Sequence, residues 1–194
     1  MLKCAARGDT LIEVLFAVTV FSLVAVGGMA IMNQGTALAQ RSLELTLVRE
    51  EIDTQAETLR FIHDSYIAAY PNVTAGPGVQ WVNIVNSRAV SQASAFGTCT
   101  PPSSAFIVNP RSVTVETNAR MSSDVSTYAR LRYATPTTTA LTMAEGIWVE
   151  SVRSGSVPGE SSGYIDFHIR ACWSSVGQAQ PMTLGTIVRL YEPR

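Results

Sequence analysis

Catalysis in a chain of this size needs a nucleophile with its base, a cluster of metal ligands or a focused charge, and the 194 residues offer little of each. His63 and His168 are the only histidines. His168 alternates with Asp166 and Arg170, which in a strand places all three on one face. Same-face neighbours along a strand lie about 7 Å apart, so this row reads as a solvated polar face rather than a catalytic set. A membrane-tethered hydrolase would have to depend on His168. No metalloprotease helix, Walker loop or paired-cysteine motif occurs, and no acidic cluster resembles a calcium loop. The expectation is therefore no catalytic residue, no metal ligand and no cofactor. Arg130 and Arg132 share a face of another β-like run and could meet phosphate, which gives DNA a minor place among the candidate partners.

Cysteine chemistry divides the chain. Cys4 lies near the start, whereas Cys99 and Cys172 lie far downstream. In an exported domain the latter two form a candidate disulfide, closing a loop long enough for a chain-entropy stabilisation of about 4 kcal/mol. Two buried free thiols are the alternative. Composition supports a sizeable core in about one domain, with 46% hydrophobic and 15% charged residues. The formal net charge of −1 provides no global basic field for nucleic acid.

The most unusual ionisable group is Glu13. It is followed by no charged side chain until Arg41, and from Val14 to Met32 only Thr19 and Ser22 carry hydroxyls. As a helix that stretch rises about 28 Å, close to one hydrocarbon core. A single-pass anchor fits it. So does an ordinary secretory signal, for which Met29 to Gln40 would supply a loose cleavage region. Ahead of the run stand Lys3, Arg7 and Gly8, then Asp9.

The contiguous segment Thr10-Leu11-Ile12-Glu13-Val14-Leu15, placed after a short basic leader ending in Gly8, resembles the class III signal of type IV prepilins and pseudopilins. The resemblance implies that a prepilin peptidase cuts after Gly8 on the cytoplasmic side and makes Asp9 the new N-terminus. Phenylalanine is usual in the family at that place, so Asp9 departs from the pattern and N-methylation does not carry over to it. Glu13 becomes the fifth residue of the mature chain, where the family carries a glutamate that pairs with the free α-amine of a neighbouring subunit. An unpaired carboxylate there would cost about 3 kcal/mol or more, so the pair would discriminate aligned from misaligned subunits. An interfacial glutamate reaching the headgroups is the plainer reading. Asp9, Thr10, Leu11, Ile12 and Glu13 are thus the candidate assembly residues.

Beyond the apolar run, Leu45, Val48, Ile52, Ala56, Leu59, Ile62 and Tyr66 recur at spacings of three and four. They predict a helix continuing to about Tyr70, closed by Pro71 and Asn72. Gly27, Gly28 and Gly35 are either weak points or close-packing positions in its first half. Past Pro71 the pattern becomes short β-like runs: Gln80 to Val85, Ala105 to Val108, Val113 to Glu116, Ala129 to Tyr133, Ile147 to Arg153, Ile165 to Trp173 and Thr186 to Tyr191. No second helix is expected. In Ile165 to Trp173 the odd positions are apolar and predict the core face. Thr135 to Thr139 reads as an exposed loop, Ser154 to Gly163 as a flexible one, and Asn72-Val73-Thr74 is a sequon by pattern.

The expected architecture is α+β: a leader over 1–8, a long helix over 9–70 with its membrane-spanning part at about 14–34, and a β-rich head over 71–194 whose antiparallel sheet packs on the helix. The pilin resemblance implies the same arrangement. It further implies a filament subunit, more β-rich than a minimal major pilin and so inclined towards a minor one. Its partners would be other pilin subunits, the prepilin peptidase, an inner-membrane assembly platform and, before assembly, lipid. The chain would begin in the cytoplasmic membrane with its N-terminus inside and end in an extracytoplasmic filament. Assembly would be noncovalent, since Lys3 is the only lysine and no LPxTG-like sorting signal occurs. The competing reading is a single-pass anchored binding domain that does not polymerise.

Overall fold

The computed structural model describes residues 9–95, 99–116, 120–123, 125, 127–154 and 163–192. Gly8, Lys3, Arg7 and Cys4 lie outside these residues, as does most of the loop expected at Ser154 to Gly163. The chain is α+β and divides into two compact units between Ser42 and Leu43.

The first helix, α1, runs unbroken over Asp9–Ala69. In the first unit its surface is almost wholly apolar and exposed, and it holds a segment long and apolar enough to cross a membrane. Its polar side chains ask little of their surroundings: the hydroxyls of Thr19, Ser22 and Thr36 donate to the carbonyls of Phe16, Val18 and Asn33 one turn back. Gly27, Gly28 and Gly35 do not break the helix, and a Cβ at any of them would meet nothing within 4 Å.

In the second unit the stripe foreseen on α1 is the core face. Val48, Ile52, Ala56, Leu59 and Ile62 are buried and Leu45 and Tyr66 partly so. Gln55 is a buried exception within that stripe. A second helix, α2 (Gly78–Ser87), overturns two expectations, that Gln80 to Val85 is a strand and that no second helix follows α1. Its β-branched residues mimic a strand locally, but Trp81 and Ile84 fall three apart and are both buried, which only a helical turn on this core allows.

Among the described residues eight strands follow: β1 (Ile107–Asn109), β2 (Thr114–Glu116), β3 (Met121–Ser122), β4 (Arg130–Tyr133), β5 (Leu141–Glu145), β6 (Ile147–Ser154), β7 (Tyr164–Trp173) and β8 (Met182–Tyr191). They form three sheets instead of the single antiparallel sheet expected. These are the β1-β2 hairpin, a mixed sheet β3-β5-β4 in which β3 runs parallel to β5, and the antiparallel sheet β6-β7-β8. Strands β3 and β5 were not foreseen; each is short and lacks sustained alternation. Central strand β7 turns Ile165, Phe167, Ile169, Ala171 and Trp173 into the core, all fully buried. The free edge of β6 is covered locally by bridges to Val90 and Phe106.

A sharp junction lies between β5 and β6. Gly146 has φ +62°, and a Cβ there would stand 2.1 Å from the Cys172 carbonyl oxygen and 2.6 Å from Val125 Cγ2. Only glycine allows that approach. Gly146 N–H donates to Ser122 O and its carbonyl accepts from Cys172 N–H, both at 2.7 Å, so the junction ties β3 and β7 to the β5–β6 turn.

Candidate functional site

The residues expected to drive assembly occupy the first turns of α1. Asp9 opens the helix, and Leu11 and Ile12 are 70% and 72% exposed. Glu13 is also exposed and makes no ion pair or hydrogen bond among the described residues. Val14, Leu15 and Phe16 follow it, all outward. A carboxylate in the first helical turns is favoured by the helix dipole. The continuous apolar surface behind it is far larger than the exposed patch of an ordinary water-soluble monomer, and the segment is long and apolar enough to cross a membrane. The arrangement is a pair of acids, Asp9 and Glu13, ahead of a stretch of helix with no charged side chain until Arg41.

In the globular unit the row Asp166, His168, Arg170 resolves into separate ion pairs. Asp166 is held bidentately by Arg189, with Nε–Oδ1 at 2.7 Å and NH2–Oδ2 at 2.8 Å. That pairing lowers the Asp166 pKa. The His168 pKa is also lowered, first by burial and then by the nearby Arg170 guanidinium. The expectation of a solvated face fails at the other end of the row. Arg170 is only 8% exposed and Cys172 only 2%. The reason is a buried polar centre on β6 that the alternation did not disclose.

Glu150, 1% exposed, is that centre. Its Oε1 accepts from Arg170 NH1 at 3.0 Å, Ser94 Oγ at 2.7 Å and Trp148 Nε1 at 3.3 Å; its Oε2 accepts from Ser94 N–H at 2.9 Å. Arg170 also donates to the Ser94 carbonyl at 2.8 Å. One turn of sequence further on, Cys99 is bonded to Cys172 with Cα atoms 5.6 Å apart. Disulfide and hydrogen bonds therefore fasten Cys99 to β7 and Ser94 to β6 and β7. Ser94 Oγ donates to the Glu150 carboxylate and bonds no histidine among the described residues.

The two arginines considered for phosphate do not stand alone. Arg130 Nε and Arg132 NH2 bridge the two oxygens of Glu145 at 3.0 and 2.7 Å. His63 is a structural group: its Nε2 lies 2.8 Å from the Tyr191 carbonyl oxygen, its Nδ1 3.4 Å from Asp64, and its ring meets Trp81 edge-on. Among the described residues no group of three or more histidine, cysteine, aspartate or glutamate side chains could hold a metal ion. The chain matches no protein-family model, no curated protein and no solved structure.

Proposed function

We propose that this chain is the precursor of a type IV pilus or pseudopilus subunit, cut after Gly8 by a prepilin peptidase and assembled noncovalently through its N-terminal helix. The observation that carries the reading is the first half of α1, an exposed apolar helix that after Glu13, close to its start, carries no charged side chain until Arg41. In lipid such a helix is an anchor; among copies of itself it is the core of a filament. Cutting after Gly8 creates an ammonium at Asp9, and Glu13 supplies the opposite charge that a neighbouring copy would need. Processing and polymerisation thereby become one mechanism. The β-rich second unit inclines the assignment to a minor subunit.

The anchored, non-polymerising domain shares the helix and makes Glu13 incidental. Co-expression with a prepilin peptidase separates the two. The expected product begins at Asp9 by N-terminal mass spectrometry, and an intact Met1 terminus under those conditions refutes the filament reading. Glu13→Ala then abolishes incorporation into filaments while leaving membrane insertion unchanged; Glu13→Ala subunits that enter filaments at the wild-type level refute the pairing role of Glu13, and a wild-type chain that is never found in filaments leaves the anchor reading.

A further inference from the structure

An open concavity of about 390 Å³ lies beside β4 and the turn that follows it, lined by Arg111, Tyr128, Arg130, Arg132, Tyr133 and Pro136 among others. Three arginines and no acidic residue line it. Glu145 uses one carboxylate oxygen for Arg130 and the other for Arg132, so one carboxylate is shared between two guanidinium groups. Glu50 and Glu51 line a neighbouring cavity that shares Tyr128, and Glu51 Oε1 accepts from the backbone N–H of Leu131, a residue of the concavity's wall, at 3.4 Å.

The guanidinium of Arg111 is held from two directions. Its NH1 donates to the carbonyls of Pro136 at 3.0 Å and Thr138 at 2.7 Å, and its Cζ stands 3.7 Å over the Tyr133 ring. The Arg111 backbone N–H is itself fixed on Asn109 Oδ1 at 3.0 Å. These contacts use NH1 and one face, and leave Nε and NH2 with no partner among the described residues. Arg132 is similar: NH2 is committed to Glu145, while Nε and NH1 have no partner among the described residues. Two guanidinium edges, each immobilised before any ligand arrives, are what planar recognition of an oxyanion requires, because little rotamer freedom remains to be lost.

We propose that this concavity binds an oxyanion, carboxylate or phosphate, carried on a ligand of about monosaccharide size, with Arg111 and Arg132 as its direct partners. Arg130 and Glu145 position Arg132, and Tyr128 forms an aromatic wall. The volume falls within the range of small-ligand pockets. The site stands whether or not the chain polymerises.

The test is equilibrium dialysis of the full-length chain in uncharged detergent against inorganic phosphate, glucose 6-phosphate, glucuronate and, as control, glucose. The expected result is saturable binding of phosphate-bearing or carboxylate-bearing probes, or both, with Kd of about 1 mM or tighter and weakening as salt is raised. Glucose does not bind. Whether glucose 6-phosphate or glucuronate binds the tighter identifies the source of the oxyanion. Arg111→Gln and Arg132→Gln each weaken binding about tenfold or more, as expected for losing a charge-assisted bond, and Arg88→Gln on α2's end leaves it unchanged. Arg132 is half exposed, so its variant folds even if the Arg111 variant does not. No saturable binding of any anionic probe, glucose binding as well as glucose 6-phosphate, or unchanged binding in Arg132→Gln overturns the proposal.

Discussion

Replacing Glu150 by alanine tests whether the second unit is organised around a compensated buried charge. The carboxylate receives four donors from three residues, and both it and Arg170 are withdrawn from water. Removing one partner of a buried pair costs about 3–5 kcal/mol, because the remaining charge is left without its counterion. Arg170 retains its bond to the Ser94 carbonyl, which places the expected loss at the lower end, about 3 kcal/mol. Against a total stability of about 5–15 kcal/mol that is a large fraction, equivalent to a fall in Tm of about 6–12 °C. The assay is denaturant and thermal unfolding of the oxidised full-length chain in mild detergent, followed by tryptophan emission, since Trp81, Trp148 and Trp173 are all buried. The decisive variant is the double replacement Glu150→Met with Arg170→Met. If the charges serve chiefly to neutralise each other, the double variant is more stable than either single one. Losses that simply add refute the reasoning, and so does Glu150→Ala unfolding within 0.5 kcal/mol of wild type, a margin of about one ordinary surface substitution.

Gly146→Ala should destabilise by about 3 kcal/mol or more in the same assay, because the added methyl overlaps the Cys172 carbonyl and the residue must keep a positive φ. Gln55→Leu should lower stability by about 3 kcal/mol: the Gln55 amide receives Val108 N–H at 3.0 Å and donates to the Val108 carbonyl at 2.7 Å, and leucine would leave both backbone groups buried and unpaired. His168 has a folded pKa below its ordinary value of 6.5, so the unfolded chain takes up its proton first as pH falls. Its contribution is therefore present above about pH 6.5 and is lost below it, through the folded pKa. A plot of Tm against pH should flatten in that window in His168→Gln; an unchanged slope would show that another group carries it.

The elements legible in the sequence are those whose pattern depends on one contact face. The α1 stripe from Leu45 to Tyr66 and the alternation of β7 each repeat often enough for the core to declare its side. Elements decided by tertiary contact were not legible. Gln80 to Val85 is short and β-branched, and it is helical because Trp81 and Ile84 must reach the same core. Strands β3 and β5 owe their existence to each other and to Gly146. Polar residues mislead in the same way. Gln55 interrupts an apolar stripe because it completes the hydrogen bonding of Val108, and Glu150 interrupts β6 because Ser94 and Arg170 arrive from distant sequence to meet it. Glu13 was visible because the residues that follow it are uniformly uncharged as far as Arg41.

The self-contained hydroxyls of Thr19, Ser22 and Thr36 bear on the energetics of moving α1. With these three hydroxyls already spent on their own backbone, the helix surface around them is nearly indifferent to whether acyl chains or another helix touch it, since both offer dispersion and neither offers hydrogen bonds. On the proposed reading, extraction from the bilayer is close to isoenergetic along this stretch. Traffic in both directions would then be open, and net growth or retraction would follow from the charge at Glu13, the contacts of the second unit and whatever mechanical work is applied to the base.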